Sequence, residues 1–373
     1  MKRRDFLGGS GLLGILAAGS APAVQASQAV RWRLASSYTK SLDLALGGAQ
    51  SFARRVKELS GGKFEISVFA ADEILPSFGV FEGVQRGQVE CGHTSPHYDI
   101  EREVAFALAG GIPFGLEARQ MAAWLAEGGG KELLQELFRA HGLVCLPLGN
   151  TGGQMGGWFR KPLRTLADLK GLRMRIVGLG GKVMERLGVR SIALPPADIY
   201  KALEQNRLDA AEWVGPYDDL KLGLHRLIKY YAYPAWWEAG TQRALYVNQR
   251  AWEALSNENQ AIVRAAAAET HAEMLAQYDA RNPAALKELI AQGTRLMPFP
   301  PALLEAAWKA AHELTAELAA KSPSWKKIHA SYARFQQNIT WSWGYSELAY
   351  ARFMHEKALL QQERAKSALA RRR

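Results

Sequence analysis

The stretch "LPPADIYKALEQNRLDAAEWVGPYDD", residues 194–219, predicts a helix followed by a strand, and it decides the fold class. Prolines precede a helix predicted over 196–206, and small and apolar residues predict a strand over 207–213. The strand runs into Glu212 and Trp213 before a Gly-Pro break ends it. Helix–strand units of this kind build parallel sheets, so an α/β fold is expected.

The same alternation of strands and helices extends outward through most of the chain. Strands are predicted at 30–36, 63–69, 88–93, 143–148, 172–177 and 191–194, and helices at 42–59, 76–86, 117–141 and 181–187. Within this pattern, "VFEGVQRGQVE" (80–90) aligns without gaps with "IYKALEQNRLD" (199–209). This internal echo predicts two α/β lobes that are built alike.

The aligned segments lead to His93 and Glu212, which occupy matching positions near the carboxyl ends of their predicted strands. Open α/β sheets bind ligands in the crevice beyond those ends, so Glu212 is a candidate for a functional site. The motif "HTSPH" places His93 and His97 four residues apart. Because Pro96 lies between them, a helical zinc pair is excluded and polar contacts in a loop are expected instead.

The C-terminal part of the chain differs in kind from the alternating region. After Pro323, residues 326–363 predict one nearly continuous helix, in which Gly344 could introduce a kink. Its apolar positions are Ile328, Tyr332, Phe335, Ile339, Trp343, Leu348, Phe353 and Leu359. Such a helix either wraps around the lobes or meets a second copy of the chain, and dimerisation is the role predicted for 326–373.

The N-terminal residues 1–26 form a predicted export signal and not part of the fold. They have a basic start, a short apolar run and a small-residue ending. The segment "RRDFL" (3–7) is typical of a twin-arginine signal, which predicts export of the folded chain to the periplasm. The formal charge of +11 includes a basic tail at 364–373, and no basic-aromatic stripe indicates binding to nucleic acid.

Two cysteines, Cys91 and Cys145, each lie inside an apolar run that is typical of a strand. In an oxidising compartment they could form a disulfide. Two buried free thiols are the favoured prediction, because unpaired cysteine is commonly buried. No CxxC pair is present, so the sequence offers no cysteine-based zinc site.

The sequence lacks the motifs of several enzyme classes. The segment "GLGGKV" (178–183) is similar to a phosphate loop, but Ile176 and Val183 stand where the Walker pattern needs glycine and a hydroxyl residue. The motifs GxSxG and HExxH are absent, and GxGxxG occurs only at 9–14, within the predicted export signal and not between a predicted strand and helix. A binding protein is therefore favoured over an enzyme.

Residues suited to binding an anion are easier to find. Arg173 and Arg175 lie on the same side of a predicted strand, and one of them at the strand end could hold a carboxylate in a two-pronged grip. The glycine-rich run "GNTGGQMGGWF" (149–159) carries Asn150 and Gln154. Its glycines either let the backbone approach a ligand or serve as a hinge, and both readings suit a closing cleft.

Three segments carry a resemblance to a known family: "DLKGLRMRI" (168–176), the opening stretch 194–219 and "YPAWWEAG" (233–240). They resemble the solute-binding subunits of TRAP (tripartite ATP-independent periplasmic) transporters. More narrowly, they are similar to the subgroup that binds 2-oxo and 2-hydroxy monocarboxylates together with a metal ion. The resemblance implies a two-lobed periplasmic α/β fold with a long C-terminal helix, a homodimer and membrane permease partners.

The resemblance also implies roles for individual residues. Arg175, the second arginine of "RMR", corresponds to the arginine that holds the acid. Glu212, Trp213, Glu238 and Gln154 correspond to the metal-binding positions. Tyr98 and Asn150, with Gln154 and Trp213, match positions that line the ligand.

The charges of these residues support a metal on separate grounds. Glu212 and Glu238 bring two negative charges, a monocarboxylate brings a third, and Arg175 brings one positive charge. The remaining two negative charges would be costly to bury in a closing cleft. A hard cation with oxygen ligands compensates them, Ca²⁺ in full and Na⁺ in half. The neighbouring tryptophans are expected to exclude water from the cation.

The domain organisation predicted from these features has four parts. After the signal, 27–149 and 241–325 form a first lobe, 150–240 forms a second lobe, and 326–373 follows. The function expected is capture of a small 2-oxo or 2-hydroxy monocarboxylate for a TRAP-type secondary transporter. Two alternatives stay open, a secreted enzyme that acts on such acids and a sensor that presents the ligand to a membrane receptor.

Overall fold

A computed structural model describes residues 29–370 of the 373-residue chain. The predicted export signal, residues 1–26, lies outside the described residues. Within 29–370, no helix combines the length and the apolar character that crossing a membrane would require.

Strands and helices alternate as the sequence predicts. The strands of residues 29–370 are β1 (Val30–Ser36), β2 (Phe64–Phe69), β3 (Cys91–Thr94), β4 (Leu143–Asn150), β5 (Trp158–Phe159), β6 (Arg173–Arg175), β7 (Arg190–Ile192), β8 (Ala210–Ala211), β9 (Tyr230–Tyr233), β10 (Gln242–Asn248) and β11 (Arg295–Pro298). They form a five-stranded sheet in the order β2-β1-β3-β10-β4 and a six-stranded sheet in the order β11-β9-β5-β8-β6-β7.

Helices connect the strands and pack against both sheets. The α-helices of the described residues are α1 (Asp43–Leu59), α2 (Val80–Gln85), α3 (Ala107–Gly110), α4 (Ala118–Glu127), α5 (Gly130–Ala140), α6 (Gly178–Arg186), α7 (Pro196–Glu204), α8 (Pro216–Leu222), α9 (Gln249–Glu253), α10 (Asn257–Ala291), α11 (Pro301–Lys321), α12 (Pro323–Tyr345) and α13 (Glu347–Ala370). Short 3₁₀ turns lie at Ser77–Gly79, Pro96–Asp99, Val104–Phe106, Leu166–Leu169 and Leu224–Arg226.

The internal echo is confirmed as two equivalent helix–turn–strand units. Helices α2 and α7 lead through turns into β3 and β8, and these strands begin at Cys91 and Ala210, which are aligned positions. The strand predicted over 207–213 is shorter than expected, because only Ala210 and Ala211 pair with both neighbouring strands. The chain is thereby free to leave the sheet at Glu212.

The first sheet is covered by helices with apolar faces at helical spacing. In α1, Leu46, Ala49, Phe52 and Val56 are buried, and α1 packs against β2 and α10. The parallel pairing of β1 with β2 and β3 is in register from the start of each strand. The apolar face of α1 and the sheet therefore share one core.

The two sheets correspond broadly to the two predicted lobes, with one departure. Strand β11 belongs by position to 241–325, which was assigned to the first lobe, but it pairs in parallel with β9 in the second sheet. The reason is α10, which contacts β4 and α1 at the first sheet and α8 at the second. The chain leaves this helix beside the second sheet. The lobe boundaries themselves stay a prediction.

The C-terminal region is two helices and not the single helix that was predicted. The break falls at Ser346 (φ −116°, ψ −92°), two residues beyond Gly344, which stays helical in α12. The first half of α12 is anchored in the core by Trp325, Ile328 and Tyr332. Beyond it, Trp341, Tyr345, Leu348, Tyr350, Phe353, Met354, Leu359 and Leu360 are exposed in the single chain.

Both cysteine thiols are free. Cys91 in β3 and Cys145 in β4 are register partners of Val247 and Tyr246 on opposite sides of β10. Two strand spacings separate β3 from β4, about 9–10 Å, which exceeds the reach of a disulfide. The thiols are free as predicted, but only Cys91 is buried, whereas Cys145 is partly exposed.

Candidate binding site

A small buried cavity lies where the carboxyl ends of strands from both sheets meet. In the second sheet, Arg175 ends β6, Glu212 follows β8 and Glu238 follows β9. In the first sheet, Tyr98 follows β3, and Arg243 lies at the start of β10, which runs antiparallel to β3. The cavity has a volume of about 20 Å³ and is lined by Ser95, His97, Tyr98, Arg175, Val177, Glu212, Trp213, Val214, Glu238, Thr241 and Arg243. Its position matches the crevice expected for ligand binding.

Arg175 is held almost completely out of water, with 1 % of its surface exposed. Its Nε donates to the Leu194 carbonyl at 3.0 Å, and its Nη1 donates to the carbonyl and to Oε2 of Glu212 at 2.9 and 3.0 Å. Its third nitrogen, Nη2, is buried without a partner among residues 29–370. In this arrangement Arg175 has one free nitrogen for a ligand, so the expected two-pronged grip cannot come from Arg175 alone.

Arg173 has a different environment although it lies on the same short strand. Its guanidinium donates two hydrogen bonds to Asp209, at 2.9 and 2.8 Å. The pair is partly exposed, with 40 % and 31 % of the two side chains accessible. Arg173 does not line the cavity. The structure therefore places only the second arginine of "RMR" in the cavity.

Glu212 and Glu238 are two buried carboxylates in the same cavity. Burial raises the pKa of Glu212 to about 8, against the opposing effect of Arg175, and Glu238 raises it further. Burial likewise raises the pKa of Glu238 to about 7, against the Thr241 hydrogen bond and the two arginine charges. Both groups would keep a proton near neutral pH unless a cation takes its place.

Two threonines fix the orientation of Gln154. Its Nε2 donates to Thr151 Oγ1 at 2.8 Å and to Thr241 Oγ1 at 2.6 Å. The single hydroxyl proton of Thr241 goes to Glu238 Oε2, so this hydroxyl can only accept from Gln154. The amide nitrogen is thereby assigned, and Gln154 Oε1 is left buried without a partner among residues 29–370.

The other residues predicted for the ligand lie at different depths. Tyr98 lines the cavity and packs edge-on against His97 and Phe78. Asn150 lies behind the cavity, where its Oδ1 accepts from Gly152 N at 2.9 Å and its Nδ2 has no partner among the described residues. Neither Asn150 nor Gln154 belongs to the lining itself.

The three neighbouring tryptophans do not share one role. Trp213 lines the cavity, with its ring 5.1 Å from the Arg175 guanidinium carbon. Trp236 stacks on Phe114, and Trp237 packs edge-on against Phe299. The expectation that the tryptophans exclude water therefore fits Trp213, whereas the other two serve the adjoining core.

One glycine of the run 149–159 is explained by close backbone approach. Gly157 has φ +74°, and a Cβ there would lie 2.9 Å from the Ala211 carbonyl and 3.2 Å from Glu212 Cα. A side chain at this position would displace the segment that carries Glu212. For Gly157, backbone approach is the better of the two readings, and the close neighbour is the chain itself.

The structure adds residues that the sequence analysis missed. His97 makes a polar contact from a loop, as expected, but the contact brings it into the site, because its Nδ1 lies 3.0 Å from Glu238 Oε1. Burial, with Arg175 and Arg243, lowers the pKa of His97 to about 3, so it stays neutral. Thr241 and Arg243 directly follow the quoted segment "YPAWWEAG", where polar residues enter an otherwise apolar strand. That interruption was the available signal.

The donor set fits a hard cation with oxygen ligands. Residues 29–370 contain no group of three or more His, Cys, Asp or Glu side chains suited to a metal. The candidate site instead combines two carboxylates of the cavity lining, Glu212 and Glu238, with the unpartnered amide oxygen of Gln154, a residue outside the lining that Thr241 connects to Glu238. Amide and carboxylate oxygens, completed by backbone carbonyls, are what Na⁺ and Ca²⁺ accept, and no sulfur ligand is present.

Comparison with known proteins identifies relatives over most of the chain. The profile of the family described as bacterial extracellular solute-binding protein, family 7 (DctP), matches residues 35–322. A monocarboxylate 2-oxoacid-binding periplasmic protein of Nostoc sp. is 45 % identical over 325 residues, which cover 87 % of this chain and 89 % of the relative.

Two solved structures are similar along nearly their whole length. A TRAP transporter solute-binding protein of Bordetella bronchiseptica, described as a dimer with calcium and picolinate in one site, has a TM-score of 0.88 and 42 % identity, covering 89 % of this chain and 99 % of that one. A TRAP periplasmic solute-binding protein of Pseudoalteromonas atlantica with bound sodium and pyruvate has a TM-score of 0.85 and 35 % identity, covering 87 % and 99 %.

Proposed function

Because this chain belongs to the family of bacterial extracellular solute-binding proteins, family 7, we propose that it captures a small 2-oxo or 2-hydroxy monocarboxylate in the periplasm, together with a metal cation. The acid is then delivered to a TRAP-type secondary transporter. The relatives bind 2-oxo acids, pyruvate and picolinate, and two of them hold calcium or sodium with the ligand. The cation of this chain is accordingly Na⁺ or Ca²⁺.

One observation carries this proposal: Arg175, Glu212 and Glu238 converge on one cavity that is too small for a large solute. Arg175 Nη2 supplies a buried positive donor for the acid. Glu212 and Glu238 hold the cation with Gln154 and the Trp213 backbone, and Tyr98, Asn150 and Trp213 shape the ligand pocket. A bound cation supplies the positive charge that lets two carboxylates and an acid coexist in the dry cleft.

Capture requires no chemical step. The acid is recognised by its charge and by its small volume, and closing the two lobes removes water from the arginine and the carboxylates. A family of transport subunits favours this reading over a secreted enzyme acting on the same acids.

The assembly follows from the exposed C-terminal helices. Helix α13 and the end of α12 expose a row of large apolar side chains in the single chain, Trp341 by 71 % and Tyr345 by 78 %. Isolated exposed apolar residues are common, but a row of this kind marks an interaction surface. A homodimer formed through 326–373 covers it, and the Bordetella relative is described as a dimer. The leader 1–26 directs the folded chain to the periplasm through the twin-arginine route.

A thermal-shift experiment tests the proposed function. The mature chain is freed of cations with a chelator and is then heated with pyruvate alone, with Na⁺ or Ca²⁺ alone, and with both. Pyruvate and the cation together should raise the melting temperature by more than the sum of the separate shifts, since a ligand that binds only the folded state stabilises it. An equal shift from pyruvate without any cation contradicts the metal role. Conversion of pyruvate during incubation, followed by NMR, would favour the enzyme.

A further inference from the structure

The cavity contains a second guanidinium that the resemblance does not account for. Arg243 lies at the start of β10, is 2 % exposed and lines the same cavity as Arg175. Its guanidinium carbon sits 4.1 Å from the centroid of the Tyr38 ring. The guanidinium interacts with the hydroxyls of Tyr38 and Tyr278, but its Nε has no partner among residues 29–370. A buried donor without a partner is costly, so a partner absent from the chain itself is expected.

The carboxylate with the largest electrostatic effect on Arg243 is Asp218, and one of its oxygens already accepts another hydrogen bond. Asp218 Oδ2 accepts the Tyr278 hydroxyl at 2.9 Å, and Oδ1 is unpartnered within the described residues. Asp218 and Arg243 each stabilise the charge of the other. Asp218 therefore balances the charge of Arg243 but does not supply a partner for its Nε.

Arg175 by itself has too few free donors to bind all the oxygens of the acid. Its Nε and Nη1 donate to Leu194 and Glu212, and only its Nη2 has no partner among the described residues. A 2-oxo or 2-hydroxy acid presents at least three oxygen acceptors, and burying them unpaired costs affinity. Arg243 lines the same cavity and has an unpartnered Nε that can donate to one of these oxygens.

We propose that the bound acid is held between two guanidiniums, with Arg175 Nη2 on one side and Arg243 on the other. This inference rests on the proposed function and adds Arg243 as a second ligand-binding residue. The total charge of the site stays as calculated from the sequence, because Arg243 and Asp218 cancel. Arg243 therefore serves recognition of the acid, and Asp218 tunes how strongly it attracts an anion.

Calorimetric titration of full-length mature protein with pyruvate, in saturating Na⁺ or Ca²⁺, tests this with three variants. Arg243→Lys should weaken pyruvate binding by about tenfold or more, since lysine cannot reproduce the planar fork. Asp218→Asn keeps the acceptor for Tyr278 but removes the opposing charge, so it should tighten pyruvate binding several-fold. Arg173→Lys, outside the cavity on the same strand as Arg175, is the matched control and should change nothing.

Cation titrations without acid separate a binding role from a structural one. Arg243→Met removes a positive charge beside two carboxylates, so the affinity for Ca²⁺ should rise while the affinity for pyruvate falls. A merely misfolded site would lose both. The double variant Arg243→Met/Asp218→Asn restores the charge balance and should still bind pyruvate poorly.

Several outcomes overturn the inference. Recovery of pyruvate binding in the double variant would assign Arg243 to charge balance alone. Unchanged pyruvate affinity in both Arg243→Lys and Asp218→Asn, with normal binding by the unmodified chain, would refute the inference and leave the proposed function intact. Failure of the unmodified chain to bind pyruvate in either cation would overturn both.

Discussion

Replacing Arg175 with lysine is the most direct test of the acid site, because the structure defines what the arginine does. Arg175 makes three hydrogen bonds of 2.9–3.0 Å within the protein and keeps one nitrogen for the ligand. The single ammonium of lysine cannot reach Leu194, Glu212 and the acid at the same time. The loss of one charge-assisted hydrogen bond corresponds to about 1.5–3 kcal/mol, or a loss of about 10- to 150-fold in affinity.

The assay is calorimetric titration with pyruvate in saturating Na⁺ or Ca²⁺, well below the melting temperature of each variant. Circular dichroism should show that Arg175→Lys is folded, although its melting temperature should fall because Glu212 loses its buried partner. The affinity for the cation without acid should rise slightly or stay the same, since a positive charge has moved away from Glu212.

Arg173→Lys is the matched control for this test. Arg173 lies two residues away and pairs with Asp209 in a partly exposed ion pair, so its replacement should cost little stability and no affinity. Equal losses of pyruvate affinity in the two variants would refute the assignment of Arg175. Unchanged affinity in Arg175→Lys would show that the acid binds elsewhere.

Three further predictions concern the cation and the assembly. Glu212→Gln and Glu238→Gln should each weaken the binding of both Ca²⁺ and pyruvate. The double variant should lose less binding free energy than the sum of the two single variants, because one loss already disrupts the shared site. Additive losses in calorimetry would argue against a shared cation. Burial raises the pKa of Glu212 to about 8 and of Glu238 to about 7, so cation binding should release protons. The affinity for Ca²⁺ should therefore increase from pH 6 to pH 9. An affinity for Ca²⁺ that does not change with pH would contradict the assignment of these carboxylates as ligands. A chain ending at Tyr345 should sediment as a monomer while the full chain sediments as a dimer; a full-length monomer at micromolar concentration would refute the dimer.

The sequence alone was sufficient for the fold class, the family and the choice between two arginines. The echo between 80–90 and 199–209 predicted two matching units because the local alternation of apolar and polar residues reflects backbone pairing. Arg175 was preferred over Arg173 by resemblance, and of these two arginines only Arg175 lines the cavity. The end of a strand is set by residues close together in the chain, so the sequence also predicted that Glu212 lies at a strand end.

The sequence did not predict which polar side chains are buried or which distant segments contact one another. The break at Ser346 carries no strong local signal, since neither proline nor glycine occupies that position. His97 reaches Glu238, and Thr241 connects Gln154 to the same carboxylate, only because β3, β9 and β10 bring their ends together. Arg243 looks in the sequence like any arginine of a strand. Its unpartnered Nε results from tertiary packing, which removes water and supplies no acceptor for this donor. A single chain position contains no information about either effect.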